Sequence, residues 1–154
     1  MSTQTQTSTA ESMSPEITFG GIPMMGIQKV DMIHGLPGFE NLHHFVLAEL
    51  EGYAPFCAFQ STEEGKISML VIDAKLLSVW QGIEIPPREL AILGLEDGGQ
   101  SEQFVILKID QTTQEFTANI KAPIVFNPAT GAANQVILDN ADLSVEHSMQ
   151  HELK

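Results

Sequence analysis

From residue 16 onward the apolar residues fall into short runs broken by Gly and Pro, and several runs alternate apolar with polar. The clearest case is Phe116-Thr117-Ala118-Asn119-Ile120-Lys121. A period of two places Phe116, Ala118 and Ile120 on one face and Thr117, Asn119 and Lys121 on the other, as in a strand with one wet side. Strands are predicted over residues 16–19, 27–33, 45–50, 56–61, 67–72, 104–110, 116–124 and 135–138. Short strands in this number suit a small antiparallel β-barrel-like domain, mostly β, with one or two short helices.

The helical exception is Ile85-Pro86-Pro87-Arg88-Glu89-Leu90-Ala91-Ile92-Leu93-Gly94, because proline is tolerated in a first turn and glycine closes a helix end. Upstream, Leu76, Leu77, Val79 and Trp80 form a helical turn or loop packed on the barrel, with Trp80 in the core. In Gly35-Leu36-Pro37-Gly38-Phe39, Pro37 fixes one φ and the glycines reach conformations closed to other residues. This turn is expected to bring Phe39 back over the core. Leu95-Glu96-Asp97-Gly98-Gly99 and residues 127–131 read as surface loops.

The organisation that follows is a single domain over residues 15–143, flanked by two tails. Residues 1–14 are Ser, Thr and Gln with little apolar content, too little to offset ordering entropy, and are expected to be disordered. Residues 144–154 are assigned to a C-terminal tail.

Charge narrows the partners. The chain of 154 residues carries 7 Lys and Arg against 20 Asp and Glu, a formal charge of −13. Such a surface repels nucleic acid and anionic lipid and favours basic partners. No apolar run approaches the roughly 20 residues of a membrane helix, and no signal-peptide pattern opens the chain. The one cysteine, Cys57, excludes an intrachain disulfide and fits the cytoplasm. It sits in the apolar stretch Pro55-Phe56-Cys57-Ala58-Phe59 and reads as a small packed side chain rather than a nucleophile.

Candidate chemistry is sparse. His43 and His44 point to opposite faces of a strand and do not share an ion; His147 and His151 would align on one helical face but lack a third ligand. No metal site, cofactor or enzyme activity is expected. Glu63, Glu64, Glu96 and Asp97 lie in loops without a nucleophile or a partner acid. Neither a phosphate cradle nor a nucleophile elbow occurs. A protein-binding module remains.

Gly35-Leu36-Pro37-Gly38-Phe39-Glu40, the following Phe45-Val46-Leu47, Pro55-Phe56 with Phe59-Gln60-Ser61, Phe116 to Asn127, and Gln135-Val136-Ile137-Leu138 together resemble, in order and spacing, the flagellar assembly factor FliW family. The resemblance covers residues 17–138. Two departures stand out: Ala58 where the family usually has an aromatic, and Thr62-Glu63-Glu64-Gly65-Lys66-Ile67 where it has a D-P-D-L-type turn. The resemblance implies a non-enzymatic cytoplasmic regulator, monomeric when free, that binds flagellin and the translational repressor CsrA and itself touches no nucleic acid. Binding CsrA would relieve repression of flagellin synthesis. Asn119 and Lys121 on the wet face of the signature strand, then Glu63, Glu64, Glu96 and Asp97 as acidic loops, are the expected partner contacts. A divergent β-barrel module with a different partner is the alternative.

Overall fold

The computed structural model describes residues 18–65, 67–95 and 100–152. The expected disorder of residues 1–14 lies outside them. The strands are β1 (Thr18–Phe19), β2 (Ile22–Met32), β3 (His44–Leu50), β4 (Cys57–Ser61), β5 (Ser68–Asp73), β6 (Glu102–Ile109), β7 (Phe116–Ala118), β8 (Ile124–Phe126), β9 (Ala132–Gln135) and β10 (His147–Ser148). Among the described residues one short helix, α1 (Pro87–Ile92), starts behind Pro86 with Pro87 in its first turn, and 3-10 turns occupy Ala74–Leu76 and Ser78–Trp80.

Strands β2, β3, β4, β5, β6, β8 and β9 pair in that order and close into a ring, with β9 returning to β2. Closure leaves little unpaired sheet edge. The contact β2–β9 is parallel and spans only Asp31↔Ala132 and Met32↔Ala133; the other ring pairings are antiparallel. The mostly β, barrel-like domain expected from alternation is what forms.

Two apolar layers hold it. Inside the ring, Phe45 and Phe59 stack with centroids 4.6 Å apart and planes within 8°, and Val71, Phe104 and Ile124 fill the space around them. Alternate residues of the same strands point outward. Ile72, Val105, Leu107 and Val125 are therefore buried by a second layer made of Leu77, Trp80, Leu93, Ile120 and Met149. A strand covered on both faces loses its alternation, which is why Phe45-Val46-Leu47-Ala48 reads as a continuous apolar run. Trp80 is buried, as its neighbours predicted.

The segment 116–124, expected as one strand, is two. Between the pairs Leu107↔Ala118 and Phe104↔Ile124, β6 moves three residues while the partner chain moves six. The surplus must leave the ladder, as in an enlarged β-bulge. Asn119 organises the excursion: its N–H still donates to Ile106 O at 3.0 Å, and its Oδ1 accepts from Ala122 N–H at 3.2 Å. Pro123 has no N–H to contribute to a ladder. Alternation survives the break, since Ala118 and Ile120 are buried and Thr117, Asn119 and Lys121 partly exposed.

Several other boundaries differ. The strand predicted over 135–138 does not form there: β9 lies earlier, at Ala132–Gln135, and shares only Gln135 with it, while Val136 and Leu138 donate to Pro123 O and Lys121 O within the excursion. Phe39 does not cover the core: it is exposed, and Leu36, paired to it in an isolated bridge, takes the buried position. His147 lies in β10 rather than on a helix. Nor do residues 144–152 stand apart from the domain. β10 pairs with β7, Met149 is buried, and Glu152 accepts from the Ser78 N–H at 2.7 Å and its hydroxyl at 2.9 Å. Burial pushes the Glu152 carboxyl up, but these bonds and His147 Nε2 at 2.8 Å outweigh it and hold it below its usual range.

Candidate functional site

The β4–β5 turn carries Glu63 and Glu64. Ser61 is buried, and its hydroxyl accepts from both Glu63 N–H and Glu64 N–H at 3.0 and 2.9 Å, which shapes the turn locally. Glu63 then reaches across to the start of β3, where Oε1 accepts from His44 N–H at 2.9 Å and His43 N–H at 2.7 Å. These two backbone bonds, His44 first, lower its carboxyl below the ordinary value of 4.5. Glu63 is thus a clasp between two turns as well as a surface charge; Glu64 is exposed. The histidines beside it diverge, His43 Nδ1 to Met32 O and His44 Nδ1 to Asp31 Oδ1.

A pH dependence follows from the clasp. A carboxyl whose folded pKa is depressed contributes stability above its unfolded value, and that contribution is lost as pH falls through the folded one. Glu63→Gln is expected to lower the urea midpoint at about pH 7, and the difference from the parent protein is expected to shrink as pH falls below 4.5 and through the depressed folded value. A midpoint difference that stays constant from neutral to acid pH would show that the charge has no part in the clasp.

Lys121 and Asn119 sit on the excursion between β7 and β8. Lys121 Nζ donates to Asn140 O at 3.2 Å, and Asn119 lines a shallow hollow with Ile106, Lys108, Thr117, Val145 and Glu146. Lys108 and Glu146, both exposed, pair there at 3.0 Å. Asn119 and Lys121 thus belong to one surface, bonded to Asn140 O and Ala122 N–H, and Glu63 and Glu64 to another turn, bonded to the start of β3 through Glu63. Glu96 and Asp97 lie outside the described residues.

One concavity was not anticipated from the sequence. It is an apolar groove of about 360 Å³ lined by Phe19, Ile22, Leu50, Tyr53, Phe56, Leu70 and Phe116. The turns Tyr53 N–H to Leu50 O and Phe56 N–H to Tyr53 O raise one wall, and Phe56 and Phe116 lie 5.9 Å apart in a tilted pair. Its floor is a small cluster in which Ala48 and Ala58, opposite each other on β3 and β4, are buried with Met24 and Leu50. Alanines at that cross-strand pair leave space a larger side chain would fill. Tyr53 is 54% exposed and Phe116 36%. The sequence signal, in retrospect, is phase: Leu50, Phe56 and Leu70 are apolar at positions facing away from the ring interior.

Cys57, beside the groove in sequence, is partly buried and donates weakly to Pro55 O at 3.8 Å. Burial first, then the charges of Glu49 and Asp73, push its thiol up, which suits packing rather than nucleophilic chemistry. Among the described residues no three His, Cys, Asp or Glu side chains converge on a metal-sized site, and no helix is long and apolar enough to cross a membrane.

Comparison with known proteins adds what geometry does not. A family model described as "FliW protein" matches residues 15–149. The flagellar assembly factor FliW of Caldanaerobacter subterraneus subsp. tengcongensis is 36% identical over 121 residues, covering 78% of this chain and 81% of that one. That of Bacillus velezensis is 32% identical over 120 residues, covering 78% and 84%. A crystal structure of the flagellar assembly factor FliW superposes with a TM-score of 0.70 at 29% identity, covering 79% of this chain and 84% of the other.

Proposed function

This chain belongs to the FliW family of flagellar assembly factors, and from that premise we propose that it is a non-enzymatic cytoplasmic protein that binds flagellin and antagonises CsrA. The observation that carries the proposal is the family match across residues 15–149, nearly the whole described domain. The structure supports it with a closed ring of strands and an exposed apolar groove, features of a binding module.

The mechanism is competition through shared equilibria. Free protein holds CsrA and relieves repression of flagellin synthesis; flagellin, as it accumulates, occupies the protein and returns CsrA to its RNA. By mass action, flagellin at about 100 times its Kd lowers the free protein about 100-fold. The charge of −13 supplies a physical means of antagonism, since an acidic body held beside an RNA-binding surface disfavours approaching phosphates. Asn119, Lys121, Glu63, Glu64, Glu96 and Asp97 are the contact residues proposed for these partners.

The test is a competition among purified proteins: the chain should form a complex with CsrA, weaken leader-RNA binding in a salt-dependent manner, and release CsrA when flagellin is added. A chain that binds neither protein is instead a β-barrel module for a different partner. If Glu63→Lys with Glu64→Lys leaves both affinities unchanged, that turn is removed from the contact surface.

A further inference from the structure

The geometry points to the apolar groove as a docking site for one kind of partner segment, an amphipathic peptide whose large apolar side chains are flanked by Lys or Arg. The inference deepens the protein-binding reading above by giving it a surface and a ligand chemistry.

Two observations carry it. First, the lining is apolar throughout and open: Tyr53 and Phe116 remain exposed at its mouth, with Phe19 and Leu70 partly buried behind them. Aromatic side chains held at a concave site bind with little entropy to lose, and they are the residue types that dominate binding energy at interfaces. Second, the charged residues next in sequence to lining residues are all exposed acids: Glu51 and Glu115, which lie outside the strands beside Leu50 and Phe116, and Glu49, on the face of β3 opposite Leu50. Apolar anchors supply the affinity, while an acidic border selects basic flanks and rejects acidic ones.

The same charges argue against the other occupants. A second copy of a chain carrying −13 meets its own repulsion. The chain's own residues 1–17, which lead into Phe19, contain Glu11 and Glu16 and no Lys or Arg. Neither supplies the positive flanks the border would select.

The full chain, immobilised, can be panned against a random-peptide display library, with Tyr53→Glu and the pair Glu51→Lys, Glu115→Lys as parallel baits. Tyr53 is more than half exposed, so its replacement leaves the fold intact. Enriched peptides are expected to pair two or more large apolar residues with net positive charge. Their affinity should fall about tenfold or more on Tyr53→Glu, and by a smaller, salt-sensitive factor on the charge reversal. Enrichment of acidic or wholly polar peptides, or equal binding to all three baits, overturns the inference. So does self-association of the parent chain that Tyr53→Glu abolishes, or peptide binding seen only after residues 1–14 are deleted. The two readings separate cleanly: if flagellin and CsrA bind the Tyr53→Glu protein normally, the groove loses its role and the partner assignment stands. If basic amphipathic peptides bind while flagellin and CsrA do not, the reverse holds.

Discussion

Phe59→Ala is expected to destabilise the protein by about 3–5 kcal/mol, enough to unfold a substantial fraction of a domain whose total stability is of order 5–15 kcal/mol. Phe59 is 2% exposed and stacked on Phe45 inside the ring. Its ring is ringed in turn by strands that pair on both sides, so the backbone cannot collapse into the space left behind. The cost therefore contains both the lost transfer of the phenyl group and the persistent cavity. Ile137→Ala, at a side chain 63% exposed, is the internal control and should change stability by no more than about 0.5 kcal/mol. Urea denaturation followed by circular dichroism measures both. Equal midpoints for the two variants would mean that the ring interior is not the main source of stability.

Gly35→Ala is the second large effect, and its origin is the backbone. Gly35 has φ +70°, and a Cβ placed there would lie 2.7 Å from Glu40 Cα and 2.8 Å from the carbonyl oxygens of Phe39 and Glu40. The obstacles are main-chain atoms of a tight turn, not the ends of side chains that could swing away. The left-handed conformation costs an alanine about 1–2 kcal/mol, and forcing the turn open adds about 1–3 kcal/mol. Gly38 offers the comparison within the same motif: it too has positive φ, +84°, but nothing lies within 4 Å of its added Cβ. Gly38→Ala should therefore show only the first cost, and thermal unfolding of the two variants should separate them. Matching losses would remove the steric part of the explanation.

These two sites also mark how far the sequence could be read. The glycines and Pro37 announced a constrained turn, and that turn exists; the destination of Phe39 did not follow, because Leu36 on the same bridge already occupies the buried position. The alternation at Ala118 and Ile120 was legible because burial on a strand has a period of two. The break after Ala118 was not, because it arises from the register of β6 against two partners, a property of residues distant in sequence. His147 and His151 showed a helical spacing that the chain does not use, since pairing with β7 draws His147 into a strand.

The groove was the least legible feature. Its lining comes from β1, β2, the end of β3, the following turn, β5 and β7, and each residue taken alone looks like an ordinary strand position. The pairing of β1 on β2 and of β7 on β6, outside the ring, brings Phe19 and Phe116 to the same place as Leu70. By contrast, the acidic turn at Glu63 was visible as charge while its clasp on His43 and His44 was not, since that bond joins a side chain to backbone about twenty residues away.

The proposed function makes this chain a switch between two protein partners. The most direct measurement is calorimetric titration of flagellin into the purified chain, alone and again with CsrA already bound. Saturable binding is expected in both, with the second titration displacing CsrA and showing an apparent flagellin affinity reduced by that competition. The absence of any binding to flagellin, or CsrA remaining fully bound at flagellin saturation, would contradict it.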